Sequence, residues 1–209
     1  MIRISKISLF VISVIGILTL CSQTVLASTL NLLGVGWSKS KVTVLIKPAK
    51  SVTQEAVADV VTAINDWNAA LSEVQGAPML VLVSGVKSAD IVIKMKVGGG
   101  AVLGQALPKT ISPFSCVLKT VSIQLSGKAF GQNFSDAGTQ NVARHELGHA
   151  LGLGHSDDPN DLMYAAAESS EIFGNVDVPI SACDKSGIDA IYPIPVYCDI
   201  LDSITCGED

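Results

Sequence analysis

The sequence predicts an α+β domain, on three observations. Short β-branched runs bounded by turn residues recur along the first two thirds of the chain. One long stretch among them carries apolar residues at three-and-four spacing, the period of a helix. Two more helical stretches come later, and the first of them leads into a segment that holds every histidine of the chain.

Lys41 to Lys47 reads Lys-Val-Thr-Val-Leu-Ile-Lys ahead of Pro48 and is the first expected strand. Thr53 to Ser72 places Val57, Val60, Val61, Ile64, Trp67 and Leu71 on one face, so a helix with one buried side is expected there. Ser51 or Thr53 can cap its start, Gly76 with Pro78 prevents the helix from continuing, and Trp67 is expected as a core anchor. Met79 to Val83, Asp90 to Met95 and Val121 to Leu125 read as further strands. Gly98-Gly99-Gly100 is a flexible connection and not a phosphate loop, because no lysine and helix start come after it. Asp136 to Thr139 opens a helix whose interior is apolar at Val142, Leu147 and Ala150. Ile180 to Tyr192 supplies the last helix, ended by Pro193 and Pro195.

With 209 residues, 48% of them hydrophobic, the chain suits one domain with a sizeable core. Arg3 and Lys6, the apolar run Ile7 to Leu20 and the small-residue site at Val25-Leu26-Ala27 have the layout of a secretory signal peptide. Three segments are therefore expected: a signal peptide over 1–27, a folded domain over 28–192 and an acidic, Cys-containing tail over 193–209. The expected location is extracellular, with an uncleaved N-terminal membrane anchor as the alternative. A lipoprotein signal at Cys21 is disfavoured by the bulky Leu20 before it. The formal net charge is −5, and loss of Arg3 and Lys6 makes it about −7, which does not support a nucleic-acid or anionic-lipid surface. No stable membrane insertion is expected after cleavage.

Export leaves Cys116, Cys183, Cys198 and Cys206, an even set that permits three pairings. Cys198 with Cys206 would close a short loop, and Cys183 with either would pin the tail to the last helix. A clamp on the tail is favoured over free thiols.

The chain has three histidines, all within His145-Glu146-Leu147-Gly148-His149-Ala150-Leu151-Gly152-Leu153-Gly154-His155. At 3.6 residues per turn, His145 and His149 stand one above the other, so two imidazoles can converge on one cation. Glu146 beside them can take a proton from a zinc-bound water without filling a coordination site. Gly152 lets the backbone leave the helix, and His155 can return as the third ligand. Three protein ligands leave a fourth position open, which separates a catalytic zinc from a structural one. An isolated His-Glu-x-x-His arises by chance on amphipathic helices, whereas the extension through Gly152 to His155 does not readily do so.

On these residues the chain resembles the metzincin zinc endopeptidases, and within them the matrixins. Ser156 after the third histidine, and the run to Leu162-Met163-Tyr164, match the matrixin spacing from third ligand to Met-turn. The resemblance covers roughly Trp37 to Tyr192. Ala89-Asp90-Ile91 resembles the family's third strand, Leu103-Gly104-Gln105-Ala106 its edge strand, and Asp184 to Tyr192 its last helix. It implies a mixed twisted sheet with an active-site helix and a C-terminal helix. It further implies one catalytic Zn2+ on His145, His149 and His155, Glu146 as general base, Met163 beneath the metal, and substrate paired along Leu103, Gly104, Gln105 and Ala106. The sequence leaves Ca2+ open.

The chain also departs from that family. No cysteine-switch segment is recognised, and the run from Ser28 to Lys41 has no cysteine to block the metal. The histidines of a second, structural zinc are absent, Ala165 stands where proline is usual, and the loop Ala165 to Pro179 is the chain's own. The expected function is a secreted zinc endopeptidase acting on a protein or peptide substrate. A catalytically silent zinc-bearing adhesion module and a hydrolase of a non-peptide amide are the alternatives.

Overall fold

The computed structural model describes residues 27–98, 102–111, 115–192 and 201–207. Residues 1–26 of the expected signal peptide, Gly99, Gly100, Cys198 and the two prolines after Tyr192 lie outside the described residues. The elements run β1 (Ser28–Leu32), β2 (Lys41–Pro48), α1 (Gln54–Leu71), β3 (Met79–Leu82), β4 (Ile91–Lys96), β5 (Gly104–Thr110), β6 (Leu118–Ser126), β7 (Lys128–Ala129), β8 (Gln132–Asn133), α2 (Asp136–Leu151), β9 (Leu153–Ser156), α3 (Ser169–Phe173), α4 (Ala182–Ile191) and β10 (Ser203–Cys206). This is an α+β, metzincin-like arrangement.

The main sheet has the order β3-β2-β4-β6-β5; β2 runs parallel to β3 and β4, β4 parallel to β6, and β5 antiparallel to β6. Alternation sends Val42, Val44, Ile91, Ile93, Val121 and Ile123 into the core. Helix α1 lays Val60, Ile64, Trp67 and Leu71 on that layer, with Thr53 as its N-cap accepting from Ala56 N–H. Asp90 stitches the start of β4 to β2 through Thr43 N–H and Oγ1, both 2.8 Å away. Burial works against that carboxylate, but Lys39 and Thr43 hold its pKa below the usual range.

Helix α2 packs against α1, β5, β6 and α3 at once and is buried almost all round. Its last carbonyls are taken up by side chains: Trp37 Nε1 donates to Ala150 O at 2.9 Å and Tyr192 Oη to Leu151 O at 3.0 Å. Gly152 then turns the chain at φ 109°, a left-handed conformation that lets β9 begin at once.

The short hairpin β7–β8 and three further strands have no counterpart in the sequence pattern. Those three form a second sheet, β10-β1-β9, antiparallel throughout, in which Ser28 stands opposite Cys206 and Leu30 opposite Ser156. The stretch before Lys41, where the pattern shows no strand, supplies β1, because Leu30 and Leu32 sink into the core beside Gly187 of α4. Residues 203–206, within the expected tail, pair with β1. A Cys183–Cys206 disulfide ties β10 to α4, which is one of the tail clamps the sequence left open and excludes a Cys198–Cys206 loop. Cys116 is also disulfide-bonded.

Candidate metal centre and cleft

His145 and His149 come from the last two turns of α2, and His155 from β9 directly after the Gly152 turn. The ring centroids of His145 and His149 are 4.7 Å apart, and His155 lies 5.5 and 4.8 Å from them. Their candidate ligand atoms all fall within 4.8 Å of one another, and among the described residues no other group of three potential ligands does so. His145 Nδ1 faces Leu162 O at 2.7 Å and His149 Nδ1 faces Leu153 O at 2.8 Å. A carbonyl only accepts, so both Nδ1 atoms carry the proton and both Nε2 lone pairs remain for a metal.

Burial, reinforced by the neighbouring imidazoles, lowers the pKa of His149 to about 4. His145 is lowered mainly by burial as well, and His155 by burial alone. The three rings are therefore neutral near pH 7, the form that binds a cation. Three neutral imidazoles, two of them with tautomers fixed by backbone carbonyls, suit zinc in a centre that keeps a position open.

Glu146 lies on the same helix, 5% exposed, and lines the same cleft. Burial lifts its pKa to about 7, against the lowering effect of a hydrogen bond from the Ala106 backbone on β5. Its Oε2 is buried with no hydrogen-bond partner among the described residues. A carboxylate oxygen left so in a native interior costs free energy and marks a place where a proton-bearing group belongs.

The edge strand passes directly over this carboxylate. A Cβ on Gly104 would run into Glu146 Oε1 and stand 2.6 Å from its Cγ, so only glycine fits. Leu103, Gly104, Gln105 and Ala106 all line a cleft of about 620 Å³ that also contains the three histidines and Glu146. Met163 is fully buried, and its Sδ occupies the space that a side chain at Gly148 would need, directly under the histidine helix. Its turn is fastened by Ser156 N–H to Met163 O at 2.9 Å and by Ser156 Oγ to Asp161 Oδ2 at 2.7 Å.

The structure thus brings together all the site residues expected from sequence. Those that sequence reasoning missed are Asn141 and Arg144, buried on the same helix and bonded to the loop after Tyr164, and the Ser156–Asp161 pair. Only the position of Ser156 behind the third histidine signalled any of them.

Residues 123–193 match the matrixin family. The chain is 47% identical over 60 residues to interstitial collagenase of Bos taurus, which covers 29% of this chain and 12% of that protein. It is 42% identical over 69 residues to matrilysin of Homo sapiens, covering 32% of this chain and 22% of that protein. For matrix metalloproteinase-2 of Drosophila melanogaster the identity is 39% over 67 residues, 32% of this chain and 8% of that protein. The chain spans about a fifth or less of the length of these curated relatives. The matched segment resembles the matrixin family and holds the three histidines, Glu146 and Met163.

Proposed function

We propose that the protein is an exported zinc endopeptidase in which His145, His149 and His155 hold the metal and Glu146 moves the proton. The observation that carries this reading is the buried Glu146 Oε2, without a partner among the described residues, in the cleft of three neutral imidazoles. A purely structural zinc site has no use for such a carboxylate and takes a fourth protein ligand instead. That argues against a silent adhesion module.

Zinc held there supplies a Lewis acid that activates water and polarises a carbonyl. Glu146, with a pKa of about 7, is poised to accept a proton from the attacking water and return it to the leaving amine. The Ala106 N–H fixes the carboxylate during that exchange, and Gly104 leaves it room. β5 is an edge of the main sheet, so an extended peptide can add to it as a further strand, with main-chain bonds setting register. Met163 under the helix and the Leu162 and Leu153 carbonyls hold the imidazoles in one orientation.

Export with removal of residues 1–27, leaving a mature domain from Ser28, agrees with a first strand that begins at Ser28 and with the Cys183–Cys206 bond. Among the described residues no helix is long and apolar enough to cross a membrane. The test is to incubate zinc-loaded protein with unfolded protein, short peptides and acylated small molecules. Chelator-sensitive cleavage of the first two is expected; cleavage of acylated small molecules alone would point to a different amide hydrolase.

A further inference from the structure

Residues 165–178, the chain's own loop, have no partner strand among the described residues, yet several of them line the cleft. This wall is held by α2 and its cap. Ser135 donates to the Ile172 and Gly174 carbonyls, and Asn141 Nδ2 donates to Glu171 O at 3.1 Å and Val176 O at 2.8 Å. Asn141 Oδ1 accepts Val178 N–H at 3.0 Å. Ionic contacts add to these bonds. Arg144 Nη1 meets Asp177 Oδ1 at 2.5 Å and Val178 O at 3.2 Å, while its Nε meets Asp66 Oδ2 of α1 at 2.7 Å.

Arg144 is 6% exposed, so its guanidinium is anchored in the body of the protein and Asp177 is the movable end. The planar fork bonds both carboxylates in fixed directions, which a lysine cannot do. The residue before Asp177 and the residue after it are each bonded to Asn141, and Asn141 and Val178 both line the cleft. A displacement of 176–178 therefore changes the cleft's outline without touching the histidines.

We infer that the Arg144–Asp177 pair, with Asn141, is a latch that sets the loop wall of the cleft and thereby selects among substrate side chains. Arg144 and Asp177 act here as positioning residues, and the inference rests on the endopeptidase reading above. One methylene of room in an apolar pocket changes discrimination by about 10- to 200-fold, so a small movement of this wall suffices.

The test compares wild type with Asp177→Ala, Asp177→Glu and Arg144→Met at equal zinc content. Amide hydrogen exchange is followed over 168–178 and over α1. Selectivity is read with peptides differing in one side chain, from methyl through isobutyl to benzyl, and with peptide hydroxamates carrying the same series. Asp177→Ala should raise exchange about 10-fold or more over 168–178 alone and shrink the ratio between best and worst side chain by about 10-fold, in kcat/KM and in hydroxamate Kd. Asp177→Glu, which keeps the charge, should restore part of both. Arg144→Met is the stronger break, and should it fail to fold, the mostly exposed Asp177 variants decide alone. Unchanged exchange, or a loosened segment with an unchanged side-chain ratio, overturns the latch. A uniform loss across the series with lowered thermal stability marks a structural brace and overturns it too. If wild type cleaves no peptide, the hydrolytic reading has failed, and the hydroxamate ratio with the exchange data still judges the latch.

Discussion

Replacing Gly104 by alanine should disable Glu146 without disturbing the metal ligands. The added Cβ would overlap Glu146 Oε1 and lie 2.6 Å from Cγ and 2.8 Å from Cδ. Rotation about the last torsion moves Oε1 away but leaves Cγ in place. The clash must therefore be relieved by turning the whole Glu146 side chain or lifting β5. A side chain forced off its rotamer costs about 0.5–1.5 kcal/mol, and overpacking a filled site about 1–3 kcal/mol, so a stability loss of roughly 1–3 kcal/mol is expected. Function should suffer more. A misplacement of about 1 Å at a reacting group costs on the order of 10²-fold, and lifting β5 would withdraw the Ala106 N–H as well. Gly104 has no positive φ, so alanine brings no backbone strain and the effect isolates the contact. Zinc by elemental analysis, urea unfolding and kcat on a peptide substrate form the assay. A variant with full zinc and a kcat within about 3-fold of wild type would refute the assignment of β5 as the strand that seats Glu146.

Other substitutions test separate parts of the account. Burial raises the pKa of Asp184, fully buried in the capping box of α4, from 3.8 to about 6, so the folded state holds a proton that the unfolded chain releases. That contribution is fully present below about pH 3.8 and lost as pH rises through about 6. Relative to Asp184→Asn, wild type should lose up to about 3 kcal/mol across this window by urea titration, and parallel curves would contradict it. Cys183→Ser with Cys206→Ser opens a loop of sequence separation 23 and should lower stability by about 3 kcal/mol, with exchange rising first in β10 and β1; an unaltered midpoint would deny β10 a part in the fold. His155→Ala should weaken zinc binding and turnover together, whereas parental affinity in a competition with a chelating dye would remove His155 from the ligand set.

The parts of the fold legible in the sequence are those where local pattern and burial agree. β4 and α1 show clean alternation or helical spacing because each has one buried face, and β2 is a β-branched run. α2 lacks a stripe because it is surrounded, and its burial of Asn141, Arg144 and Glu146 runs against composition. Its identity came from the spacing of the histidines instead. β1, β9 and β10 are four or five residues long and pair across up to 178 positions, from Ser28 to Cys206, so nothing nearby announces them. The metal ligands were legible because coordination chemistry demands particular residues at helical spacing. The latch was not, because Arg144 reads locally as a solvated charge and its partners Asp66 and Asp177 are 78 and 33 positions away. Gly104 gave no local sign either; its requirement arises only where β5 crosses Glu146.

The central claim is that Glu146 transfers protons at a metal it does not bind. The most direct test measures zinc stoichiometry and peptide turnover on the same preparations of wild type and Glu146→Gln. The glutamine fills the same buried space, so both proteins should hold one zinc on the three histidines, and turnover in the variant should fall by about 10²- to 10⁴-fold or more. Turnover retained at full zinc occupancy would contradict the account, as would loss of the metal itself.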